Sequence, residues 1–511
     1  MAEERDNYDW SEVEEVARER FGVTDFRPGQ KELIEAVLAG KDALGVMPTG
    51  AGKSLCFQLP SLFLSGNVVV VSPLISLMQD QSEKMADADI AATKLDSTLT
   101  AQEERQAVKE VRRGVHDLVY VTPERLEKPE VLETLNRQGV TLLVVDEAHC
   151  VAQWGHDFRP AFLALRTARK ALGDPPVLAI TATAPPEVRE DILRQLGMED
   201  AVVVDTGIER PNLHWEVART VRTDAKRDAL AKVLREEEGS GIVYASTVKK
   251  VNEIYEWLKT LGIAVERYHG KLKTKEREDI QQRFMAGELK VVVATKAFGL
   301  GIDKPDVRFV AHWNFPDSLE SYYQEAGRAG RDGEPARAVL LYRLEDRRVQ
   351  SFFMVGKYPG RDEIRRVLLA LSALSKEVGP KGALSAKRVG ERAEVGDKRV
   401  KVILALLEER GVLERKPRRL RLLHQFSGEA ELDAFLDRYE QRLSADKQRV
   451  QTMMRYGQSA ACRERFMKEY FGQSVEGDCG HCDNCDSGLA RLGAVPRMER
   501  PSPTAEPTAH A

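Results

Sequence analysis

Short apolar runs, each followed by a polar cluster, recur along the first part of the chain. The runs NVVVV, LVYV, TLLVV and VLAIT alternate with helical patterns up to about residue 208. Continuous apolar runs of this length are typical of strands that are buried on both faces of a parallel sheet. The pattern predicts an α/β domain over residues 1–208, with its ligands beyond the carboxyl ends of the strands.

A second series of the same kind spans residues 209–355. Its predicted strands are GIVYAS, AVERYHG, KVVVATKAFG, VRFVAHWN and ARAVLLYR. Two parallel-sheet domains in tandem, each with polar loops of the phosphate-binding kind, predict a cleft between them.

The pattern changes over residues 361–424. It predicts one helix, then a helix–turn–helix, then two short strands around a KPRR turn. Ser385 and Asp397 are the predicted N-caps, and Gly411 is the predicted stop of the last helix. This order of elements predicts a winged-helix DNA-binding domain.

Two further segments follow the predicted winged helix. Residues 430–487 have a helical pattern and end in a cluster of cysteines. Residues 488–511 are rich in Pro, Ala, Ser and Thr, a composition that predicts a disordered tail.

Bulk composition excludes several classes of protein. The 511 residues are 42% hydrophobic and 31% charged, which is typical of a soluble globular chain of three or four domains. No apolar run approaches the ~20 residues of a membrane span, and the acidic N-terminus lacks the apolar core of a secretory signal. We therefore expect a cytoplasmic protein without membrane contact. In a bacterium, the cytoplasm includes the nucleoid.

Charge is distributed unevenly along the chain. The formal net charge is −4, yet residues 361–424 contain 17 Lys and Arg against 9 Asp and Glu. A basic segment in an acidic chain indicates binding to the phosphates of a nucleic acid. The alternative is a basic face that contacts only solvent.

The segment PTGAGKS follows the apolar run DALGVM and has the composition of a phosphate-binding loop. Its glycines allow backbone N–H groups to wrap phosphate oxygens, its lysine reaches the β- and γ-phosphates, and its serine hydroxyl binds Mg²⁺. The predicted ATP-binding residues of this loop are Thr49, Gly50, Gly52, Lys53 and Ser54. The usual pattern has glycine six positions before the lysine, where this chain has Met47, and an ordinary glycine turn is the alternative.

The run TLLVV ends in the tetrad DEAH, which favours the ATP site over an ordinary turn. Asp146 can hold Mg²⁺ together with Ser54, and Glu147 can orient or deprotonate the attacking water. A strand-end carboxylate pair that follows a phosphate loop is a much more specific signal than either motif alone.

The segment SYYQEAGRAGRDG lies in the second predicted sheet domain and carries Arg328 and Arg331 in a glycine-rich turn. Such arginines can reach a γ-phosphate across a cleft and act as an arginine finger. A finger in a different domain from Lys53 ties hydrolysis to domain closure, as a motor requires. Arg328 and Arg331 are therefore predicted to be catalytic, with Lys53, Asp146 and Glu147.

The segment QWGHDFRP directly follows DEAHC. Trp154 and Phe158 can stack on bases, at ~1–3 kcal/mol each, and His156 and Arg159 can add polar contacts. Because the segment is close to Glu147 in sequence, it is predicted to couple DNA binding to hydrolysis. Core packing is the alternative for the two aromatic residues, and the polarity of the segment argues against it.

Four cysteines near the end of the chain have the spacing C-x16-C-x2-C-x2-C. They are Cys462, Cys479, Cys482 and Cys485. Four thiolates in a reducing compartment predict a closed, structural Zn²⁺ site. His481 could replace one cysteine but is predicted to be a neighbour of the metal rather than a ligand.

The chain resembles the RecQ family of superfamily 2 helicases over about residues 20–345. The motifs that carry the resemblance, in the family's order, are DFRPGQKELI, PTGAGKS, SPLISLMQDQ, TPERL, DEAHC, QWGHDFRP, TATA, YHGKL, ATKAFGLGIDKPDVR and QEAGRAGRDG. The resemblance implies tandem RecA-like domains, contacts of Arg27 and Gln30 with adenine, and Arg331 as the finger with Arg328 beside it. It also implies that SPLISL, TPERL and Thr295 contact the DNA backbone, without sequence specificity.

The resemblance extends to the cysteines, because ACRERFMKEYFG and CGHCDNC are similar to the RecQ zinc module. Two departures stand out. The family often has an aromatic residue where this chain has Val23. The common RecQ order is helicase core, zinc module and winged helix, whereas here the winged-helix pattern precedes the cysteines.

The resemblance implies the function of an ATP-dependent DNA helicase that moves 3′→5′ on single strands and unwinds forked duplexes. We expect it to be a monomer that acts in recombination, repair and replication, with repair proteins as partners. Arg418 and Arg419, at the tip of the KPRR turn, are predicted to hold the duplex. Two alternatives stay open at this point. One is an RNA helicase, and the other is an ATP-gated module that anneals or remodels DNA without unwinding it.

Overall fold

The structure is a computed structural model of the 511-residue chain. The residues that it describes are 8–87, 89–96, 98–152, 160–298, 304–351, 359–379, 384–409, 412–416, 419–424, 426 and 428–492. The chain divides into two compact units, one built from Met1–Arg343 and Met453–Met498 and the other from Leu344–Thr452.

The first sheet has seven parallel strands in the order β3-β4-β2-β5-β6-β1-β7. The strands are β1 Ala43–Val46, β2 Asn67–Val71, β3 Ala92–Leu95, β4 Leu118–Val121, β5 Val140–Asp146, β6 Val177–Thr181 and β7 Val202–Asp205. Its helices are α1 Trp10–Phe21, α2 Gln30–Leu38, α3 Leu55–Gln58, α4 Ile75–Asp87, α5 Ala101–Val111, α6 Pro123–Leu126, α7 Pro129–Gln138, α8 Leu165–Ala171 and α9 Pro186–Leu196. Short 3-10 helices span Pro60–Leu62, Ala148–Cys150 and Pro160–Ala164.

Alternate residues of the central strands enter two different hydrophobic cores. In β2, Val69 and Val71 belong to one core, and Val68 and Val70 belong to the core on the opposite face. Successive side chains of a strand point to opposite faces, so burial of both faces requires an uninterrupted apolar run. This confirms the α/β interpretation of those runs.

The second sheet has six parallel strands in the order β10-β11-β9-β12-β13-β8. The strands are β8 Leu213–Arg219, β9 Ser240–Tyr244, β10 Val265–Tyr268, β11 Val291–Ala294, β12 Val307–His312 and β13 Ala336–Tyr342. Its helices are α10 Thr223–Glu236, α11 Val248–Thr260, α12 Thr274–Met285 and α13 Leu319–Ala326. A 3-10 helix spans Leu344–Asp346.

The other compact unit contains the helix–turn–helix and hairpin expected of a winged helix. Its elements are α14 Arg361–Val378, α15 Ala386–Ala393, α16 Asp397–Glu409 and the antiparallel strands β14 Leu413–Lys416 and β15 Arg419–Leu422. Ser385 caps α15 as predicted, because its Oγ accepts a hydrogen bond from the backbone N–H of Arg388 at 3.3 Å. The N-cap prediction for Asp397 is wrong: Asp397 lies in the first turn of α16, where a carboxylate favours the positive end of the helix dipole. Gly411 lies outside the described residues.

The remaining elements are the long helix α17 Glu429–Gln458, the helices α18 Arg463–Tyr470 and α19 Asp483–Asp486, and a 3-10 helix at Leu489–Leu492. The 3-10 helix corrects the predicted start of the tail, because Ala490 is buried. The rest of that segment, from residue 493, lies outside the described residues. Within the described ranges, we find no helix of the length and apolar character that crossing a membrane requires.

Candidate nucleotide and zinc sites

The predicted phosphate loop follows β1 and depends on two glycines. Gly50 and Gly52 have φ values of 89° and 73°, a region that side chains with a Cβ rarely adopt. Gln30 holds this loop, because its Nε2 donates to the carbonyl oxygens of Ala51 at 3.1 Å and Gly52 at 2.9 Å. A Cβ on Gly52 would lie 2.5 Å from that nitrogen. The loop is therefore shaped by its own glycines and by the first residue of α2.

Lys53 and Ser54 are the last two residues of this loop. Lys53 Nζ is 3.3 Å from the carbonyl oxygen of Met47, and Gln81 Nε2 donates to Ser54 Oγ at 3.0 Å. Met47, which departs from the usual glycine, is fully buried and donates its N–H to the carbonyl of Thr181 at 3.0 Å. The parallel pairing of the sheet thus continues through Met47, and a side chain is accommodated there.

The end of β5 brings two carboxylates to the same site. Asp146 is buried and accepts a hydrogen bond from Ser72 Oγ at 3.2 Å. Burial, and then the neighbouring charge of Glu147, raise the pKa of Asp146, whereas the Lys53 ammonium opposes this shift. Burial also lowers the pKa of Lys53. Two neighbouring carboxylates are thus held in a buried site, and a divalent cation held by Asp146 and Ser54 fits this donor set.

Glu147 has an unusual backbone conformation. Its φ and ψ are 49° and 47°, the left-handed region, which costs free energy for a residue other than glycine and is concentrated at functional sites. Its Oε2 lies 3.3 Å from His149 Nδ1, and the same nitrogen is 2.9 Å from Thr181 Oγ1 at the end of β6. The DEAH segment is thereby linked to the TATA segment of the neighbouring strand.

One cavity of about 760 Å³ combines residues of both sheets. Lys53, Asp146 and Glu147 line it from the first sheet, and Arg328 and Arg331 line it from the turn that follows α13. The turn packs closely on the phosphate loop. A Cβ on Gly50 would lie 3.6 Å from Arg331 Cγ, and one on Gly327 would lie 3.2 Å from Thr49 Cβ. The structure therefore brings together all five residues predicted to be catalytic.

The other end of the cavity is lined by the segment that precedes α2. Phe21, Val23, Arg27 and Gln30 all contribute to it. Val23 is half-buried, and Phe21 supplies an aromatic ring two positions earlier. Gln30 Oε1 also accepts a hydrogen bond from the backbone N–H of Arg27 at 2.8 Å, so these two residues act as a pair. Their contact with adenine stays a prediction.

Several residues around the cavity were not predicted from the sequence to take part in it. Arg210, in the segment between β7 and β8, donates hydrogen bonds to carbonyls of both the phosphate loop and the finger turn. Ser72 and Gln81 lie in the SPLISLMQDQ motif, of which SPLISL is predicted to contact the DNA backbone, and in the structure they bond to Asp146 and Ser54. These partners are more than 25 positions apart, so periodicity cannot reveal them.

The four cysteines converge at one point beside α18. Their Sγ atoms all lie within 4.8 Å of one another. Cys462 Sγ accepts a hydrogen bond from the N–H of Cys479 at 3.2 Å, and Cys482 Sγ accepts one from the N–H of Arg463 at 3.4 Å. Such N–H···S bonds stabilise thiolates and orient metal ligands.

The chemistry of this donor set fits Zn²⁺. Hydrogen bonds from the Cys479 and Cys482 thiols lower the pKa of Cys462, and the same pairing with Cys462 raises the pKa of the other two. The thiols therefore oppose one another's ionisation, and a divalent metal removes that conflict. His481 also lies close, and with Glu464 and Cys479 it forms a second group of metal-ligating type, but its Nδ1 is 2.8 Å from the carbonyl oxygen of Cys479. That contact supports the predicted role of a neighbour.

A buried arginine connects the cysteine loops to the second sheet. Arg463 is 1% exposed and bonds to both carboxylate oxygens of Asp483, at 2.8 and 3.1 Å. Asp483 Oδ2 also accepts a hydrogen bond from the N–H of Val217 in β8 at 2.9 Å. The cysteine-bearing segment, from Met453 onward, is part of the same compact unit as the two sheets.

The predicted DNA-contacting residues are only partly within the described ranges. Trp154, His156, Phe158 and Arg159 lie in segment 153–159, outside the described residues. Thr295 directly follows β11 at the carboxyl edge of the second sheet and is half-buried.

In the winged-helix unit, Arg418 lies outside the described residues and Arg419 begins β15. Several other arginines of that unit form ion pairs within it. Arg361 bonds to Asp433 at 3.1 Å and Arg365 to Glu429 at 2.8 Å, both on α17. The basic surplus is thus partly neutralised by the helix that follows it.

Three segments of the chain match known protein families. Residues 27–192 match the DEAD/DEAH box helicase family and residues 225–333 the helicase conserved C-terminal domain. Residues 418–486 match the RecQ zinc-binding family. The chain is 35% identical over 486 residues to the probable ATP-dependent DNA helicase RecS of Bacillus subtilis, covering 94% of this chain and 93% of that protein.

The chain belongs to the RecQ family of ATP-dependent DNA helicases. The ATP-dependent DNA helicase RecQ of Bacillus subtilis is 45% identical over 336 residues, which are 65% of this chain and 56% of RecQ. The chain thus spans about half the length of RecQ but nearly all of RecS. The match to RecS spans 94% of this chain, whereas the match to RecQ spans 65% of it.

Solved structures support the fold of this RecQ-family chain. The helicase MrfA bound to DNA superposes with a TM-score of 0.55 at 21% identity, covering 84% of this chain and 64% of MrfA. The Mycobacterium smegmatis helicase Lhr, bound to single-stranded DNA and AMP-PNP, gives a TM-score of 0.55 at 19% identity over 84% of this chain and 61% of Lhr.

Proposed function

We propose that the protein hydrolyses ATP to move 3′→5′ along single-stranded DNA and to unwind duplexes ahead of it. The observation that carries this proposal is the single cavity in which the phosphate loop and DEAH carboxylates of one sheet meet Arg328 and Arg331 of the other. Because each sheet supplies part of the site, a cycle of binding and hydrolysis changes the relation between the sheets. The polarity is that implied by the family.

Each residue of the cavity has a proposed task. Lys53 and the loop N–H groups hold the β- and γ-phosphates, and Ser54 and Asp146 hold Mg²⁺, which neutralises charge on the phosphates. Glu147 orients the attacking water and accepts its proton. Arg331, with Arg328 beside it, stabilises charge that develops on the γ-phosphate. Arg27 and Gln30 contact adenine.

The proposed DNA path crosses both sheet domains, residues 1–208 and 209–355. The QWGHDFRP segment stacks on bases and signals to Glu147, and Thr295 contacts the backbone. The winged helix, residues 361–424, holds the duplex through Arg418 and Arg419. The zinc module, residues 430–487, stabilises the motor. A DNA substrate of this kind would bring the protein to the nucleoid, with repair and recombination as its setting.

Unwinding of matched 3′-tailed, 5′-tailed and forked duplexes tests the proposal. We expect ATP-dependent strand separation of the 3′-tailed and forked substrates and none of the 5′-tailed substrate. Preference for the 5′-tailed duplex would contradict the polarity. A preference for RNA duplexes would favour the alternative function of an RNA helicase. The match to the RecQ zinc-binding family argues against that alternative. DNA-stimulated hydrolysis without strand separation would favour the annealing module.

A further inference from the structure

Arg210 lies in the segment that connects the two sheets, and it is 8% exposed. Its Nη1 donates to the carbonyl oxygens of Thr49 and Gly327, both at 3.0 Å. Its Nη2 donates to the carbonyl oxygens of Ala329 at 2.7 Å and Gly330 at 2.9 Å. One buried guanidinium therefore bonds to the phosphate loop and to three carbonyls of the finger turn.

The four bonds of Arg210 divide unequally between the sheets. Three join it to the GRAGRDG turn of the second sheet, and one joins it to Thr49 in the phosphate loop of the first. The connecting segment is itself held to the second sheet, because Tyr323 in α13 donates its hydroxyl to the carbonyl of Ile208 at 2.9 Å. Arg210 is thus attached mainly to the second sheet, and its hydrogen bond to Thr49 is its contact with the first sheet.

The chemistry of these bonds suits a contact that forms and breaks. All four acceptors are neutral carbonyls, so no buried carboxylate is left without a partner if the Thr49 bond opens. The planar guanidinium keeps its other bonds while one is lost, because its donors are arranged as a rigid fork. A Cβ added to Gly327 would lie 3.2 Å from Thr49 Cβ, so the finger turn packs closely on the phosphate loop where the Arg210 bond to Thr49 is made.

We propose that Arg210 is a positioning residue that seats the finger turn on the phosphate loop through Thr49, so that Arg331 reaches the γ-phosphate only when this bond has formed. The inference rests on the proposed ATPase function and adds a residue that acts through the finger. It predicts a change in the rate of hydrolysis with little change in the binding of ATP.

Asn212 provides a matched control for Arg210. Its Nδ2 donates to the carbonyls of Gly330 at 2.8 Å and Glu334 at 2.9 Å, so it supports the same turn. Neither of those bonds involves the phosphate loop. A loss that Arg210→Ala shows and Asn212→Ala does not show is therefore due to the contact with Thr49 and not to general loosening of the turn.

The test measures kcat, KM for ATP and the unfolding temperature of the full chain with saturating single-stranded DNA. Loss of a hydrogen bond from a charged donor predicts that Arg210→Ala lowers kcat by about 10- to 100-fold, with KM changed by less than about 3-fold. Asn212→Ala should lower kcat by less than about 3-fold. Arg210→Lys keeps the positive charge but loses the planar fork of guanidinium donors. Compared with Arg210→Ala, it should restore the unfolding temperature more fully than it restores kcat.

A double mutant separates this role from an independent one. If Arg210 acts through the finger, Arg210→Ala combined with Arg331→Ala should be no slower than Arg331→Ala alone. Additive losses would overturn the proposal, as would a normal kcat in Arg210→Lys or equal losses in Arg210→Ala and Asn212→Ala. An unmutated protein that hydrolyses no ATP would instead contradict the proposed function itself.

Discussion

The four cysteines of the zinc site lie between residues 462 and 485, whereas the side chains that line the nucleotide cavity come from positions between 21 and 331. Two of the cysteine Sγ atoms accept hydrogen bonds from backbone N–H groups of this same segment. The nucleotide cavity instead needs two separate sheets to meet. A site built within one segment is suited to permanent structure, and a site built between two sheets can open and close.

The bonds around the two sites support this contrast. Arg463, beside the cysteines, forms a two-oxygen ion pair with Asp483, a strong and directional interaction. Arg210, beside the nucleotide cavity, donates its four hydrogen bonds among the described residues to neutral carbonyls. We therefore expect mutations at the zinc site to lower stability and mutations at the nucleotide site to lower the rate of ATP hydrolysis.

The largest expected effect is the loss of stability that follows loss of Zn²⁺. Cys482→Ala should give protein without bound zinc that is unstable or poorly soluble, because structural Zn²⁺ contributes ~10–16 kcal/mol of apparent binding free energy that is coupled to folding. Elemental analysis should find one Zn²⁺ per chain in the unmutated protein. Cys150→Ala removes another buried sulfur and should keep the zinc. Freshly purified protein without zinc would contradict the assignment.

The next effect is on hydrolysis alone. Lys53→Ala should lower the rate of ATP hydrolysis by at least about 10²–10³-fold, because a preorganised positive donor to the phosphates is lost. DNA affinity and the unfolding temperature should persist, since Lys53 lies in the phosphate loop and its proposed partners are the phosphates of ATP. Lys41→Ala, which removes an exposed lysine just before β1, should leave hydrolysis unchanged. Near-normal ATP hydrolysis in Lys53→Ala would contradict the assignment of the nucleotide site.

A smaller effect is expected at the predicted sensor. Trp154→Ala should leave much of the DNA affinity intact, because one lost stacking contact is worth ~1–3 kcal/mol among many phosphate contacts. It should remove most of the stimulation of hydrolysis by DNA, while Trp154→Phe, which still stacks, should retain it. The measurement is the ATPase rate against DNA concentration. Unchanged stimulation in Trp154→Ala would show that QWGHDFRP is not the sensor.

The smallest effect concerns duplex binding by the winged helix. Replacing Arg418 and Arg419 together with alanine should weaken duplex binding and flatten its log–log salt dependence by up to ~0.9 per lost phosphate contact. Arg361 and Arg365 provide the control, because both are paired with carboxylates of α17. Their double replacement removes the same charge and should change stability more than the salt slope. Equal slopes for both double mutants would favour a basic face that contacts only solvent.

The strands that sequence reasoning missed are all at sheet edges. β3, β7 and β8 are edge strands, and the exposure of β7 and β8 alternates along the strand. Half-exposed strands need no continuous apolar run, and β3 (ATKL) and β8 (LHWEVAR) have none, so runs of the NVVVV kind could not reveal these two. The short apolar run of β7, residues 202–204, was present in the sequence but was not assigned to a strand. The interior strands, which are buried on both faces, were predicted because burial on both faces restricts the composition of every position.

The sequence by itself determined the interior strands, the phosphate loop, the DEAH carboxylates, the finger turn and the cysteine cluster. Each of these depends on neighbours within one segment, where spacing along the chain fixes geometry. Only the tertiary structure decided which segments meet. It joined Arg210 to Thr49, Gln81 to Ser54 and Ser72 to Asp146. Such pairs have no periodic signature, because the contact is set by how sheets and loops pack and not by distance along the chain.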